Sequence, residues 1–170
     1  MLFFVRFIIA FILTLAIAAV LIYIFKPSFA MMNSPSTERA ILTSIYKQQN
    51  DGAVQRNAGQ AMTNVASDCL FFDSHDVPMP VPPIQQKLKD LYAGIGRVKA
   101  TSELKSVKFD GNNADVLAEN KVDWVAKGGR KIELRTMTRD NWQKLVGHWT
   151  CLKVKIESTS DSHLGFAVPH

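Results

Sequence analysis

Four long stretches of alternating polar and apolar residues follow one another between Val98 and Glu157. They run Val98–Phe109, Asp115–Lys127, Lys131–Leu145 and Trp149–Glu157. Only Asp110-Gly111-Asn112-Asn113, Gly128-Gly129 and Gly147-His148 interrupt them. A period of two sends successive side chains to opposite faces of a strand. Gly and Asn accept the positive φ of tight hairpin turns. Four such strands without an intervening helix predict an antiparallel meander with one wet face and one buried face.

The faces can be read from the sequence. In the third strand Lys131, Glu133, Arg135, Met137, Arg139, Asn141 and Gln143 share the charged side. Ile132, Leu134, Thr136, Thr138, Asp140 and Trp142 share the other. In the second strand Val116, Ala118, Asn120, Val122, Trp124 and Ala126 face inward. In the fourth, Leu152, Val154 and Ile156 are expected inside, and Trp149 and Cys151 fall out of phase with them, which predicts a bulge near Thr150. Asp140 is the anomaly, a carboxylate on the apolar face. A lone buried carboxylate is costly or stays protonated. Its position is tolerable if it meets a cavity holding water or a guest, or donors such as Thr138 and Asn120.

Upstream the period changes. Ile41, Leu42, Ile45 and Tyr46 have helical spacing, opened by Ser36-Thr37-Glu38 and stopped by Asn50-Asp51-Gly52. Ala53, Val54, Ala58, Ala61, Met62 and Val65 predict a second helix. Cys69–Phe72 reads as a short strand closed by Asp73-Ser74-His75-Asp76. Val77–Pro83 holds four prolines and is expected to be a stiff, unpaired rim. Ile84, Leu88, Leu91 and Tyr92 mark a third helix, ended by Gly94-Ile95-Gly96. The class is α+β, with three N-terminal helices packed on one face of a curved antiparallel sheet.

The chain opens with 19 uncharged residues, Phe7 to Phe25, between Arg6 and Lys26. As a helix they extend roughly 28 Å, close to a bilayer core. Ser28-Phe29-Ala30 also offers small residues at the positions a signal peptidase reads. Two readings therefore stand for residues 1–30: a retained transmembrane anchor with the domain exported, periplasmic or extracellular, or a signal peptide cleaved near Ala30. Residues 31–37 form a linker, 38–158 the domain and 159–170 a loose tail. Without residues 1–30, 18 basic residues face 15 acidic ones. That balance, with no basic stripe interleaved with aromatics, points away from nucleic acid.

Two cysteines, Cys69 and Cys151, lie in expected strands. They could bridge in an oxidising compartment or stay as buried thiols. No His, Cys or carboxylate spacing forms a metal site. No phosphate loop or nucleophile elbow is present, and no cofactor is implied.

The order of elements resembles the nuclear transport factor 2-like superfamily, which includes ketosteroid isomerases and polyketide cyclases. Three stretches carry the resemblance: "QQNDGAVQ", "ASDCLFFDS" and "TRDNWQKLVGHWTCLKVKIES". The resemblance implies a cone-shaped half barrel with a pocket between helices and sheet, lined here by Tyr46, Asn120, Trp124, Thr136, Thr138 and Trp142. It also implies that Asp140 matches an acid that donates to a substrate oxygen, and Asp73 a proton-abstracting carboxylate. The family's oxyanion tyrosine aligns with Ile45, and Tyr46 falls one residue later. The catalytic set is thus incomplete. The leading expectation is binding of a small apolar ligand or a partner protein without turnover. The alternatives are an isomerase, cyclase or dehydratase-type enzyme using Asp73 and Asp140, and a subunit of an inner-membrane assembly such as a secretion machine. A homodimer through the open sheet face is a further expectation.

Overall fold

The structure, a computed structural model, describes residues 34–126, 129 and 131–161. The uncharged stretch 7–25, the small residues at 28–30 and the tail beyond 161 lie outside the described residues. Among the described residues no helix is long and apolar enough to cross a membrane. By its contacts the chain divides into two compact units, residues 1–40 and 41–170. All features of the sheet and the site below belong to the second.

Helix α1 spans Pro35–Val54. Ser34 Oγ accepts from the Thr37 N–H at 3.2 Å, and Pro35 occupies the first turn, where its missing donor costs nothing. The helix runs through Asn50-Asp51-Gly52 rather than stopping there. Gly52 serves a different purpose. A Cβ at this position would lie 2.3 Å from the backbone nitrogen of Ala61. The missing side chain lets α2, Ala58–Ala61, pack directly on α1. The expected second helix is therefore only these four residues, capped by Asn57, whose side chain accepts from the Gln60 N–H.

Strand β1 starts early, at Val65, and ends at Phe72. The proline-rich stretch is not an unpaired rim. Pro78–Pro80 forms β2, paired antiparallel to β1 at the sheet edge. Helix α3, Val81–Gly94, then begins with prolines in its first turn. An edge strand and a helix start are two places where proline's missing N–H is harmless.

The meander follows as β3 (Ile95–Asp110), β4 (Asn113–Ala126), β5 (Lys131–Leu145) and β6 (His148–Asp161). The last strand takes in residues expected in the loose tail. The sheet is curled and unclosed, with six strands in the order β2-β1-β6-β5-β4-β3. β1 lies parallel to β6, and every other pair is antiparallel.

The bulge in β6 sits two residues later than expected. Trp142 pairs with Cys151 and Asn141 with Lys153, so Leu152 is the extra residue. Trp149 and Cys151 are therefore inside, while Leu152 is turned outward and 37 % exposed. Leu42, Ile45, Tyr46, Cys69, Trp142, Trp149 and Cys151 form the main apolar cluster with the short side chains of β4. Trp124 belongs to a second cluster with Tyr92, Ile95, Val98 and Ile132. The other face of the sheet carries cross-strand ion pairs, including Lys105–Glu119 at 2.8 Å and Arg139 with both Asp115 and Glu157 at 2.9 Å.

The β5–β6 turn is Val146-Gly147, one residue earlier than the sequence suggests. Val146 adopts φ 48° with its side chain almost fully exposed. A β-branched residue is strained there. Val146→Asn should raise stability by about 1 kcal/mol, read as a higher urea midpoint at unchanged slope. Gly52→Ala should do the opposite. Despite alanine's better helix propensity, overpacking against α2 should cost about 1–3 kcal/mol in the same titration.

Candidate functional site

The site is built where α1 crosses the inward row of β5. Leu42, Ile45 and Tyr46 project from one side of α1 and are buried. Thr136, Thr138, Asp140 and Trp142 are the inward residues of β5. Asp140 is paired with Val116 on β4 and Val154 on β6, so both flanking strands present hydrocarbon beside the carboxylate. Asp140 is only 5 % exposed.

Two polar chains run toward this carboxylate, and the first reaches it. In the first, Tyr46 Oη donates to Asp140 Oδ2, and Trp142 Nε1 donates to Tyr46 Oη at 3.3 Å. The Tyr46 and Trp142 rings meet at 5.6 Å with a tilt of 50°. In the second, Asn120 Nδ2 donates to Thr138 Oγ1 at 3.1 Å, and Ser102 Oγ donates to Asn120 Oδ1 at 2.7 Å. Ser102 Oγ also lies 3.1 Å from the Asn50 side-chain amide. A hydroxyl has one proton, so Ser102 serves one of the two amide oxygens, Asn120 Oδ1 or Asn50 Oδ1, at a time. The Thr138 hydroxyl favours the charged carboxylate but does not reach hydrogen-bonding geometry with Oδ1. Oδ1 is buried and has no hydrogen-bond partner among the described residues.

Asp140 lines a cavity of about 380 Å³ together with Tyr46, Asn120, Thr136, Thr138 and Trp142. Ala61, Met62, Val65, Phe71, Leu88, Val154 and Ile156 supply apolar walls, and Gln49 and Cys151 complete the lining. Among the described residues no Lys, Arg or His lines it. Trp124, expected among the pocket residues, instead borders a separate surface cleft with Lys99, Lys131 and Glu133.

Burial pushes the Asp140 carboxyl up to about 6, against the opposing effects of Tyr46 and Thr138. Burial and the neighbouring carboxylate push the Tyr46 phenol far above its ordinary range, so Tyr46 acts as a fixed donor.

Asp73 is not among the cavity residues. Its Oδ1 accepts from the backbone N–H groups of His75 and Val77, both at 2.9 Å. These bonds hold its carboxyl below the usual range, led by the one to Val77. It shapes the turn into β2. The structure thus does not bring Asp73 and Asp140 into one cavity.

Cys69 and Cys151 are both buried free thiols in contact with one another. The hydrogen bond with Cys69, together with burial, pushes the Cys151 thiol up. Among the described residues no cluster could hold a metal ion.

The sequence pattern did not mark Gln49, Met62, Leu88 or Asn64 as part of the site. Asn64 adopts φ 62° and donates to the Trp149 carbonyl at 2.9 Å, while its own carbonyl accepts from the Cys151 N–H at 2.7 Å. It ties the α2–β1 turn to the inward part of β6. An Asn directly before a strand is the available signal, since Asn tolerates the left-handed region.

The architecture is shared with solved structures. A hexachlorocyclohexane dehydrochlorinase of the LinA-type3 class from Novosphingobium barchaimii matches with a TM-score of 0.58 at 13 % identity, over 78 % of this chain and 95 % of that one. A conserved protein from Planctomyces limnophilus matches with a TM-score of 0.67 at 8 % identity, over 74 % and 98 %. An NTF2-like protein of unknown function from Shewanella baltica matches with a TM-score of 0.56 at 14 % identity, over 75 % and 98 %. The fold is nuclear transport factor 2-like. No protein-family profile and no curated protein matches the sequence.

Within this NTF2-like fold, Asp140 makes a specific pH signature. Its folded value of about 6 lies above the ordinary 3.8. Folding therefore favours the protonated acid, and stability falls as pH rises from about 4 to 6. The displacement corresponds to a penalty on the order of 3 kcal/mol above that window. Asp140→Asn should be more stable than the parent at pH 7.5, and the gain should shrink toward zero near pH 4. Urea titrations of both proteins at several pH values test this. An advantage that persists unchanged at pH 4 would contradict the assignment.

Proposed function

We propose that this chain is a binding protein of the nuclear transport factor 2-like fold, taking a small, largely apolar ligand into the cavity between α1, α2 and the inward face of β4–β6. The observation that carries this reading is the buried carboxylate of Asp140, unpartnered at Oδ1, on the wall of an otherwise hydrocarbon-rich cavity. Such pockets combine apolar lining with a few placed polar groups that fix orientation. The uncharged stretch 7–25 supports a membrane tether with the domain exported, and a guest drawn from or delivered to a membrane surface suits that placement.

An enzymatic reading has one observation in its favour. Burial raises the Asp140 carboxyl to about 6, where a group can both hold and release a proton. The dehydrochlorinase among the structural neighbours shows that the fold accommodates chemistry, although fold alone does not transfer it. Asp73 is occupied in its turn, and Tyr46 and Cys151 hold their protons tightly. Among the described residues that line the cavity, Asp140 alone is placed to exchange a proton, which favours binding over turnover.

The test is native mass spectrometry of the full chain purified from its own host. The expected result is a co-purifying small molecule that is lost when Met62→Trp fills the cavity. Retention of the same mass in that variant would place the ligand elsewhere. A stoichiometric protein complex without a small molecule would favour the assembly role.

A further inference from the structure

Several of the hydrogen-bond donors around the cavity are already committed. Tyr46 Oη is turned onto Asp140 Oδ2, and Trp142 Nε1 onto Tyr46 Oη. Asn120 directs an amide proton to Thr138 Oγ1, and Gln49 Nε2 donates to the Thr63 carbonyl at 2.7 Å. Fixing the Gln49 and Asn120 amides in this way also fixes which atoms remain. Gln49 has its carbonyl oxygen still to satisfy, and Asp140 has Oδ1, the buried atom with no partner. The hydroxyls of Thr136 and Thr138 on the same wall can accept as well as donate. Among the described residues no cationic side chain lines the cavity to offset the carboxylate.

A site rich in acceptors, negatively charged at one point and apolar elsewhere, complements a guest that carries donors and positive charge on a hydrocarbon body. We propose that the cavity binds a hydrophobic amine, its protonated nitrogen donating to Asp140 Oδ1 and its apolar body lying against Met62, Val65, Phe71 and Leu88. This rests on the binding reading above and adds the ligand's chemical class. An ammonium group has only donors to offer. A carboxylate guest would meet the charge of Asp140 at close range with no cation to relieve it. A neutral carbonyl guest would need Asp140 protonated. The fold has already removed Asp140 from water, so the guest need not pay for that step, and a charge-assisted hydrogen bond forms in a low-dielectric setting.

The titratable groups that interact electrostatically with Asp140 are Tyr46 on α1, Cys69 on β1 and Cys151 on β6, with Asp115 of β4 acting from the other face of the sheet. Tyr46 and Cys151 are pushed above their ordinary values, and Asp115 is ion-paired with Arg139. Cys69 is held below its ordinary value by its hydrogen bond with Cys151. Amine binding should therefore be full where Asp140 is ionised and weaken as pH falls through about 6. A guest that accepts from the neutral acid would show the reverse slope.

The experiment compares 4-phenylbutylamine with 4-phenylbutanol, the matching neutral alcohol, by calorimetric titration of the full chain between pH 5 and pH 8. The expected result at pH 7.5 is a preference for the amine of about tenfold or more, the scale of a charge-assisted hydrogen bond. That preference should fall toward unity at pH 5. Asp140→Asn should abolish the preference for the amine and its pH dependence. The wild-type comparison needs no variant, so it stands even if Asp140→Asn folds poorly. Equal or tighter binding of the alcohol at pH 7.5 overturns the amine assignment and leaves the cavity reading intact. A pH dependence that survives in Asp140→Asn also overturns it. Failure of both probes to bind overturns the amine assignment and the cavity reading together.

Discussion

The hydrogen bond from Tyr46 to Asp140 joins the two halves of the site. It runs from α1 to the third strand of the meander, across 94 residues of chain. Every other placement around the cavity is consistent with it. Trp142, two residues along the same face, donates to the same phenol and packs on its ring. Leu42 and Ile45 bury the neighbouring surface of α1 against the sheet. The helix can be registered on β5 in one way only if the phenol is to meet the carboxylate, because a neighbouring rung of β5 offers an indole or a hydroxyl instead. A buried polar contact of this kind contributes more to uniqueness of packing than to net stability.

The contrast with the sheet's outer face sharpens the point. There, acids meet bases: Asp115 and Glu157 share Arg139, and Glu119 is shared by Lys105 and Lys121. These pairs are largely solvated, so they organise the surface without dominating stability. On the inner face, among the described residues, the acid has only neutral partners, a phenol and the influence of a hydroxyl. An apolar residue at position 140, with a matching change at Tyr46, would satisfy the fold at lower cost, since removing both members of a buried polar pair is often neutral or stabilising. The interior charge is thus a local conflict between fold and side chain, and such conflicts belong at functional sites.

Much of this architecture is legible in the order of the amino acids. The four-strand meander, the charged and apolar faces of β5 and the inward direction of Asp140 follow from period-two alternation, which the tertiary contacts reinforce. The misreadings share a cause: each residue's role depends on what lies across from it. Gly52 resembles a helix stop because glycine is a poor helix former, yet its missing Cβ answers the backbone of Ala61. The prolines between Val77 and Pro83 look incompatible with pairing, but an edge strand and a helix first turn both dispense with the N–H. The bulge in β6 is visible as a phase conflict between Trp149, Cys151 and the residues after them. Its position at Leu152 depends on the partner strand. Tyr46 falls in the expected pocket, but its partnership with Asp140 depends on how α1 is rotated over the sheet.

Stability and occupancy meet at one atom. The cost of holding Asp140 ionised falls on the folded protein when the cavity contains nothing that answers Oδ1. A guest that supplies a donor there removes part of that cost, and it does so only in the folded state, because the cavity exists only there. By linkage, such a guest stabilises the fold by an amount that grows with its concentration relative to its dissociation constant. It also draws the carboxyl back toward ordinary acidity, because it favours the charged form. Stability, proton uptake and binding are then three readouts of the same buried oxygen, and a guest that changes one without the others is not seated on it.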